Sequence, residues 1–304
     1  MLDLFAYAVV RVLVAVIQTL PLDMGDALCR GLARVVSGPL KVRDRVMQDN
    51  LSRVFPNASE LSRRELSFRM WHHLLLMVCE IAWAQRRLHR TNWSQHVRFR
   101  GNRTFLKYML SDRPSVLVTG HYGNFEVGGY ISGVMGFSTL TIARQLDNRF
   151  LHRWVEDFRG AKGQQMVDKD GCAPVVEKRL QEGGLLSLLA DQHAGAKGCW
   201  VDFLGVPASC HKALALFSLS SSAPMLVGAT RRAGRPMQFE FVCTGVADPK
   251  DDPEGVCDSV TTLTTWYNQR LAEAISEGVE QYWWLHRRWR TPPERVAKRL
   301  AKAA

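Results

Sequence analysis

The chain predicts an α/β fold in which a central, mostly parallel or mixed sheet is covered by helices and preceded by a helical, membrane-associating region. Three observations carry this. From residue 115 onward, short β-rich runs alternate with stretches of helical periodicity, as in a sheet built from strand–helix units. Residues 22–90 repeat apolar side chains at helix spacing, and Leu4–Leu20 is an apolar run about one bilayer long.

Along the chain, Leu4–Leu20 is apolar except for Tyr7, Arg11, Gln18 and Thr19, and it ends at Pro21. Its length sits at the lower limit of a span, roughly 17 residues, and Arg11 near its middle opposes full insertion by about 3 kcal/mol. An anchoring or interfacial helix over 1–21 fits better than a cleaved signal, because Asp3 stands where a leader is basic and no small-x-small cleavage site follows. An ordinary core helix has the same pattern. Arg30, Arg34, Lys41, Arg43 and Arg45 follow closely, placed to meet anionic headgroups on the cytoplasmic side. Residues 22–304 read as one domain, helical over 22–110 and α/β over 111–304.

In the helical part, Leu66, Met70, His73, Leu74, Met77 and Ile81 form a core-type stripe. Predicted strands are Ser115–Thr119, Ser138–Ala143, Gln165–Val167, Leu185–Ala190 and Pro224–Ala229. Helices are predicted over 124–135, 148–160, 173–182 and 209–220. Met237–Cys243 adds a strand beside Pro224–Ala229 through the Ala233-Gly234-Arg235-Pro236 turn. A helix over 255–277 carries Val256, Val260, Leu263, Tyr267, Leu271 and Ala274 at helical intervals, and the basic end from Arg295 frays.

With 46% hydrophobic and 23% charged residues, 304 residues suffice for one well-buried core. The formal charge of +11 calls for a polyanionic partner: nucleic acid, anionic membrane or an acidic protein. Charge alone does not choose among them. Seven scattered cysteines without a C-x-x-C pair read as reduced thiols in a cytosol-facing domain, neither a disulfide framework nor a zinc site. His72 and His73 would splay apart on a helix and no HExxH occurs, so no metal site is expected.

The hexapeptide His121-Tyr122-Gly123-Asn124-Phe125-Glu126 joins the strand ending at Thr119 to the helix that follows. A neutral imidazole there can take a proton from an alcohol, and a carboxylate can fix its tautomer and stabilise the imidazolium. Five positions at about 100° each separate two side chains on a regular helix. His121 therefore belongs in the turn and Glu126 in the first helical turn, as a catalytic pair. Gly120 and Gly123 permit the turn, Asn124 caps the helix, and Glu126 sits near its positive end. The same series serves any strand–helix junction, so the hexapeptide alone does not settle the chemistry. Ligands of open α/β sheets collect beyond the carboxyl ends of strands, where both this pair and Asp191 fall. Backbone N–H groups at Gly123 and Asn124 are the expected oxyanion donors. No G-x-S-x-G elbow occurs and no cysteine adjoins the pair, so no acyl-enzyme is expected.

This segment resembles the H-x4-D/E motif of glycerolipid and lysophospholipid acyltransferases. In its detail, His-x-Gly-Asn-aromatic-Glu, it is similar to the late, secondary branch that builds lipid A. Asp191-Gln192 with Gly195, Gly198, Val201, Phe203, Gly205, Pro207 and Ala208 resembles that branch's DQ strand and loop, and residues 281–290, QYWWLHRRWR, its closing signature. Asn50-Leu51 and Phe55-Pro56 fit its leading region, so the similarity spans nearly the whole chain. Phe125 stands where the branch usually has Trp, Leu204 where a second Phe is common, and Pro292 where Arg is frequent.

The resemblance implies transfer of a fatty acyl group from a thioester, on acyl carrier protein or on acyl-CoA, to a hydroxyl of a phosphorylated glycolipid such as a lipid A precursor. Another glycolipid or a lysophospholipid remains open as acceptor. It implies no metal or redox cofactor, and residence at the cytoplasmic face of the inner membrane. Arg144 and Arg159 correspond to arginines that would clamp substrate phosphates. Asp191 would position an arginine or the acceptor hydroxyl, while His193 beside it reads as incidental. Trp283, Trp284 and Trp289 with Arg287, Arg288 and Arg290 suit a membrane interface or a stacked Arg–Trp core equally. The non-enzyme alternatives are a silent lipid-binding protein and a single-strand nucleic-acid binder. No RNP-like, KH-like or finger motif supports the latter.

Overall fold

A computed structural model describes residues 2–100, 103–143 and 145–303. The chain opens with four helices: α1 (Leu2–Thr19), α2 (Leu22–Ser37), α3 (Asp44–Val54) and α4 (Glu60–Arg87). There follow β1 (Val97–Arg100), α5 (Arg103–Met109), β2 (Ser115–Thr119), α6 (Phe125–Val134), β3 (Thr139–Ala143), α7 (Arg149–Gly160), β4 (Gln164–Asp168), α8 (Ala173–Gln181) and β5 (Leu185–Leu189). The chain closes with β6 (Cys199–Phe203), β7 (Val206–Cys210), α9 (Ala213–Ser220), β8 (Met225–Arg232), β9 (Phe239–Ala247), α10 (Val260–Ser276) and α11 (Glu294–Ala303).

Seven strands form the sheet in the order β1-β9-β8-β2-β5-β3-β4, parallel except where β8 meets β9. The mostly parallel sheet covered by helices is the fold the alternation predicts. On one face, Val116, Val118, Leu140, Leu186, Met225 and Val227 pack in a core with Leu180 of α8, Leu214 of α9 and Leu263, Tyr267 and Leu271 of α10. On the other side, Val127, Tyr130, Ile131 and Val134 of α6 meet Leu76 and Trp83 of α4 and Phe158 of α7. Successive residues of a strand face opposite ways, so Leu117 and Thr119 turn away from the first core toward α6.

Three boundaries depart from the sequence reading. β1 lies inside the stretch read as helical and completes the sheet edge beside β9; four residues are too few for periodicity to register. The helix read over 209–220 begins only at Ala213, because Val206–Cys210 pairs antiparallel with Cys199–Phe203. The two-residue turn between them has Leu204 at φ 56° and Gly205 at φ 78°, the left-handed pair that suits a tight hairpin. In this two-stranded sheet Pro207 needs no ladder donor. α10 starts at Val260 rather than 255, where Ser259 and Thr262 form a reciprocal cap.

All seven cysteines are free, and Cys29 and Cys79 touch at 3.5 Å between α2 and α4. Trp284 and Trp289 are buried and stack on each other, and Arg288 is buried beneath Phe203. These members of the closing cluster are core. Arg287 and Arg290 stay exposed.

Candidate active site

The site forms where β2 and β5 end side by side. Thr119 is in register with Leu189, and the Ala190 amide donates to the Thr119 carbonyl at 2.8 Å. His121 and Asp191 each stand two residues past that paired rung, so parallel register alone brings them together. The carboxylate of Asp191 uses both oxygens on His121: Oδ1 lies 2.8 Å from Nδ1, and Oδ2 accepts the His121 backbone N–H at 2.8 Å. Gly120 makes the approach possible, since a Cβ there would lie 3.2 Å from the Asp191 carboxyl carbon.

Asp191 is 1% exposed. Burial pushes its carboxyl up, but the adjoining His121, by charge and by two hydrogen bonds, and Arg288 more than offset this and leave it below the ordinary range. When the imidazole is in its neutral form, an ionised Asp191 accepts the Nδ1 proton as its hydrogen bond and Nε2 carries the lone pair. That lone pair meets the side-chain amide of Gln192 at 3.2 Å.

The carboxylate on His121 is thus Asp191, and the orienting role expected of Glu126 is not what the geometry gives. Asn124 caps α6 as predicted, its Oδ1 accepting from the Val127 amide at 3.1 Å. Glu126, in the first turn of that helix, points toward α7 and pairs with Arg159: Nε donates to Oε2 at 2.9 Å, and Nη2 donates to Oε1. Phe125 fills the space between, its ring 5.1 Å from the imidazole and stacked on Trp283. Arg159, expected to be free for a phosphate, is therefore neutralised by Glu126, with 21% of its side chain exposed. Asp191, expected to hold an arginine or an acceptor hydroxyl, holds the imidazole instead. Arg144 lies outside the described residues.

The turn itself is fixed from below. Gly123 has φ +63°, and a Cβ there would meet the Thr230 carbonyl oxygen at 2.0 Å, so only glycine fits. Its amide donates to Gln281 O at 3.0 Å and the Asn124 amide to Thr230 O at 2.7 Å. Both expected oxyanion donors are consequently engaged within the fold. Underneath, His73 Nε2 lies 3.2 Å from Gly123 O, and Glu80 accepts from Asn124 Nδ2 at 2.9 Å and from Arg232 Nε at 2.7 Å. Arg232 in turn donates to His73 Nδ1 at 2.9 Å. Burial first, then the Arg232 guanidinium, holds His73 well below its ordinary value.

A cavity, about 1070 Å³ with the open solvent at its mouth included, runs between the sheet and α5 and α6. Leu106, Met109, Leu117, Met135, Phe137 and Phe241 are among its apolar walls, while Ser187, Thr141 and Gln164 line it from the strands. Glu126 and Arg159 also border it. Phe125 belongs to this wall and to a smaller cleft of about 200 Å³ that holds His121, His73 and Trp283. The imidazole and the apolar cavity are one aromatic ring apart.

Residues that sequence reasoning left out of the site are Gln192, His286 and Trp283. His286 is 5.0 Å from His121 ring to ring, and Gln192 Nε2 bridges to its Nε2 at 3.2 Å. Burial, then the neighbouring His121, pushes His286 down to about 4. A signal was present, since all three lie in the DQ and closing segments, but nothing local to those segments says that they converge on residue 121.

Fold and site together define a class: an α/β enzyme with a carboxylate-held imidazole at the strand ends, one ring from an open, mostly apolar cavity. The sequence pattern of the bacterial lipid A biosynthesis acyltransferases matches residues 1–291, and the chain belongs to that family. It is 25% identical over 299 residues to the lipid A biosynthesis lauroyltransferase of Escherichia coli K12, covering 95% of this chain and 92% of that protein. The lipid A biosynthesis palmitoleoyltransferase of the same strain is 23% identical over 260 residues, covering 84% and 81%. A lipid A biosynthesis acyltransferase of Shigella flexneri matches to the same extent. Membership makes the chain an O-acyltransferase with a glycolipid acceptor and an acyl donor, and the nucleic-acid and silent lipid-binding readings fall away.

Proposed function

We propose that this enzyme transfers a fatty acyl group from an acyl carrier protein thioester to a hydroxyl of a phosphorylated lipid A precursor at the cytoplasmic face of the inner membrane. The observation that carries the proposal is His121 held through Nδ1 by Asp191 at 2.8 Å, which leaves Nε2 as the proton acceptor, beside an apolar cavity. The acceptor O–H gives its proton to Nε2 as its oxygen adds to the thioester carbon. The tetrahedral intermediate collapses with cleavage of the C–S bond, and the thiolate leaves and recovers the proton from His121. Asp191 steadies the imidazolium between the two transfers. Glu126 holds the Arg159 guanidinium at the cavity's border, where it meets the polar head of an incoming acyl thioester; Arg144 is the second cation proposed for substrate phosphates. Gly123 and Asn124 contribute by shaping the turn that presents His121. The basic surface suits an acidic carrier protein and anionic lipid alike.

The membrane reading rests on α1, which among the described residues is the one helix long and apolar enough to span. It is tied at both ends: Trp83 Nε1 donates to Ile17 O at 2.7 Å, and Asn148 Nδ2 donates to Asp3 O at 2.9 Å. Leu2, Phe5, Val9, Val12, Leu13 and Val16 nevertheless stay exposed, and Met24, Leu28, Leu32 and Val35 of α2 continue the apolar face. A helix tied along the protein surface lies in the interface plane rather than across the bilayer.

The test uses the full chain in lipid vesicles with the lauroyl thioester of acyl carrier protein and a phosphorylated, under-acylated lipid A precursor, read by mass spectrometry. One added acyl increment is expected, absent with His121→Ala. Thioester consumption with no lipid gaining mass, or full transfer by His121→Ala, overturns the proposal.

A further inference from the structure

The base leaves one requirement of acyl transfer unmet: a donor for the negative charge that gathers on the carbonyl oxygen as the acceptor adds. The Gly123 and Asn124 amides are committed to Gln281 O and Thr230 O. The indole N–H of Trp283, although close, is sealed from solvent and so does not face the space a substrate enters. Gln192 is different. Its residue is exposed, and its amide nitrogen lies 3.2 Å from His121 Nε2, the atom that receives the acceptor's proton.

Which end of the amide faces the imidazole is settled by the carboxylate on its far side. Because Asp191 takes the Nδ1 proton, Nε2 can only accept, and Gln192 must present N–H. The second N–H of the same nitrogen reaches His286 Nε2, also at 3.2 Å. Burial keeps that imidazole neutral, and in the tautomer with its proton on Nδ1 the Nε2 lone pair accepts this N–H. One –NH2 group thus spans two ring nitrogens. Its main chain is held as well, the Gln192 carbonyl accepting from buried Arg288 at 3.3 Å, while Asn50 Nδ2 donates to the His286 carbonyl at 2.6 Å.

We infer that Gln192 is a catalytic residue whose side-chain N–H stabilises the oxyanion, and that His286 is the positioning residue that aims it; this rests on His121 acting as the base. In the free enzyme the amide occupies the place of the acceptor hydroxyl. The arriving hydroxyl takes Nε2 for itself and releases that N–H, still tethered to His286 by its partner hydrogen, beside the carbonyl being attacked. As the oxygen charge forms, the N–H donates to it. As the C–S bond breaks and the charge returns to the carbonyl, the amide is free to settle back on Nε2. No oxidant, metal or further reactant enters.

The experiment compares Gln192→Glu, Gln192→Ala, His286→Ala and His286→Gln with wild type in the vesicle assay, on the high-pH plateau of the rate profile so that altered protonation of the base does not enter. Loss of one oxyanion donor lowers kcat by about 10²–10³-fold with KM little changed. That loss is expected of both Gln192 variants. His286→Ala is expected to lose roughly ten-fold, and His286→Gln, whose carbonyl oxygen can accept the same N–H near the position of Nε2, to recover most of it. Melting temperatures report folding, and Gln192→Glu, nearly isosteric and exposed, guards against a variant that fails to fold. Plateau kcat within three-fold of wild type in both Gln192 variants overturns the oxyanion role, and His286→Gln no better than His286→Ala overturns the positioning role. Full activity in His121→Ala would instead remove the base on which both rest.

Discussion

Asp191→Asn separates the two carboxylates that could serve His121. In the native site each oxygen of Asp191 has one partner at 2.8 Å: the ring N–H at Nδ1 and the His121 backbone N–H. An amide offers one acceptor where the carboxylate offers two. The backbone N–H cannot change, and turning the amide so that two donors face each other in a buried site costs about 1–3 kcal/mol. The ring can change tautomer. The amide oxygen therefore takes the backbone N–H, the –NH2 faces Nδ1, and the imidazole proton moves to Nε2, where the lone pair is needed. A triad Asp→Asn change with intact geometry in a serine protease costs about 10⁴-fold in kcat through the same wrong tautomer. We expect a 10³–10⁴-fold fall here, roughly 4–5.5 kcal/mol of transition-state stabilisation. The vesicle assay gives kcat, and nitrogen NMR of ring-labelled histidine reads the tautomer. Glu126→Gln, which leaves His121 untouched and loosens Arg159, should instead act mainly through KM for the donor. Asp191→Asn within ten-fold of wild type, with Glu126→Gln the more damaging, would refute this reasoning.

Glu80 is fully buried beside Arg232. Glu80→Ala strands that guanidinium, which should cost about 3–5 kcal/mol, only partly restored by a Glu80→Met/Arg232→Met pair because Asn124 Nδ2, the Met237 amide and His73 Nδ1 then lose their partners; a single-variant cost below 1 kcal/mol in urea unfolding counts against it. Acid should weaken the fold from about pH 6.5 downward. An unfolded chain protonates its histidines near that pH, whereas burial holds His286 down to about 4 and His73 also well below its ordinary value, so the unfolded state binds the extra protons and stability falls as pH falls. His286 alone accounts for at most about 3 kcal/mol, less whatever its partial exposure screens. His286→Gln should flatten the pH 6.5–4 part of the curve, and an unchanged slope would refute the assignment. Ser187→Leu, on the cavity wall, should favour shorter acyl chains, at about 0.8 kcal/mol or four-fold per methylene excluded. Competition among thioesters of increasing length checks this, and an unshifted optimum would show that the chain lies elsewhere.

Periodicity and turn chemistry made most of the framework legible. Ser115–Thr119 is a strand because an apolar β-rich run stops at a glycine turn, and Asn124 begins a helix because its side chain satisfies an amide there. The β8–β9 hairpin was readable from its Gly-containing turn. Local chemistry was weaker at β1 and β7, where four or five residues pair through contacts the sequence does not announce. At the site, residue types were legible and partnerships were not. A histidine and a glutamate five apart look like a pair, yet Phe125 stands between them and the first turn of α6 aims Glu126 at α7.

The sequence by itself determined the elements, the imidazole at the end of a strand, and the family, because these follow from neighbours along the chain. Only the tertiary structure decided which carboxylate serves the imidazole. Asp191 is seventy residues away and reaches His121 because β5 lies beside β2 in register. The same placement set Gln192 against Nε2, and helix packing gave Glu126 to Arg159. Hydrogen bonds act over about 3 Å, and which groups come that close is fixed by how strands and helices pack, not by their spacing along the chain.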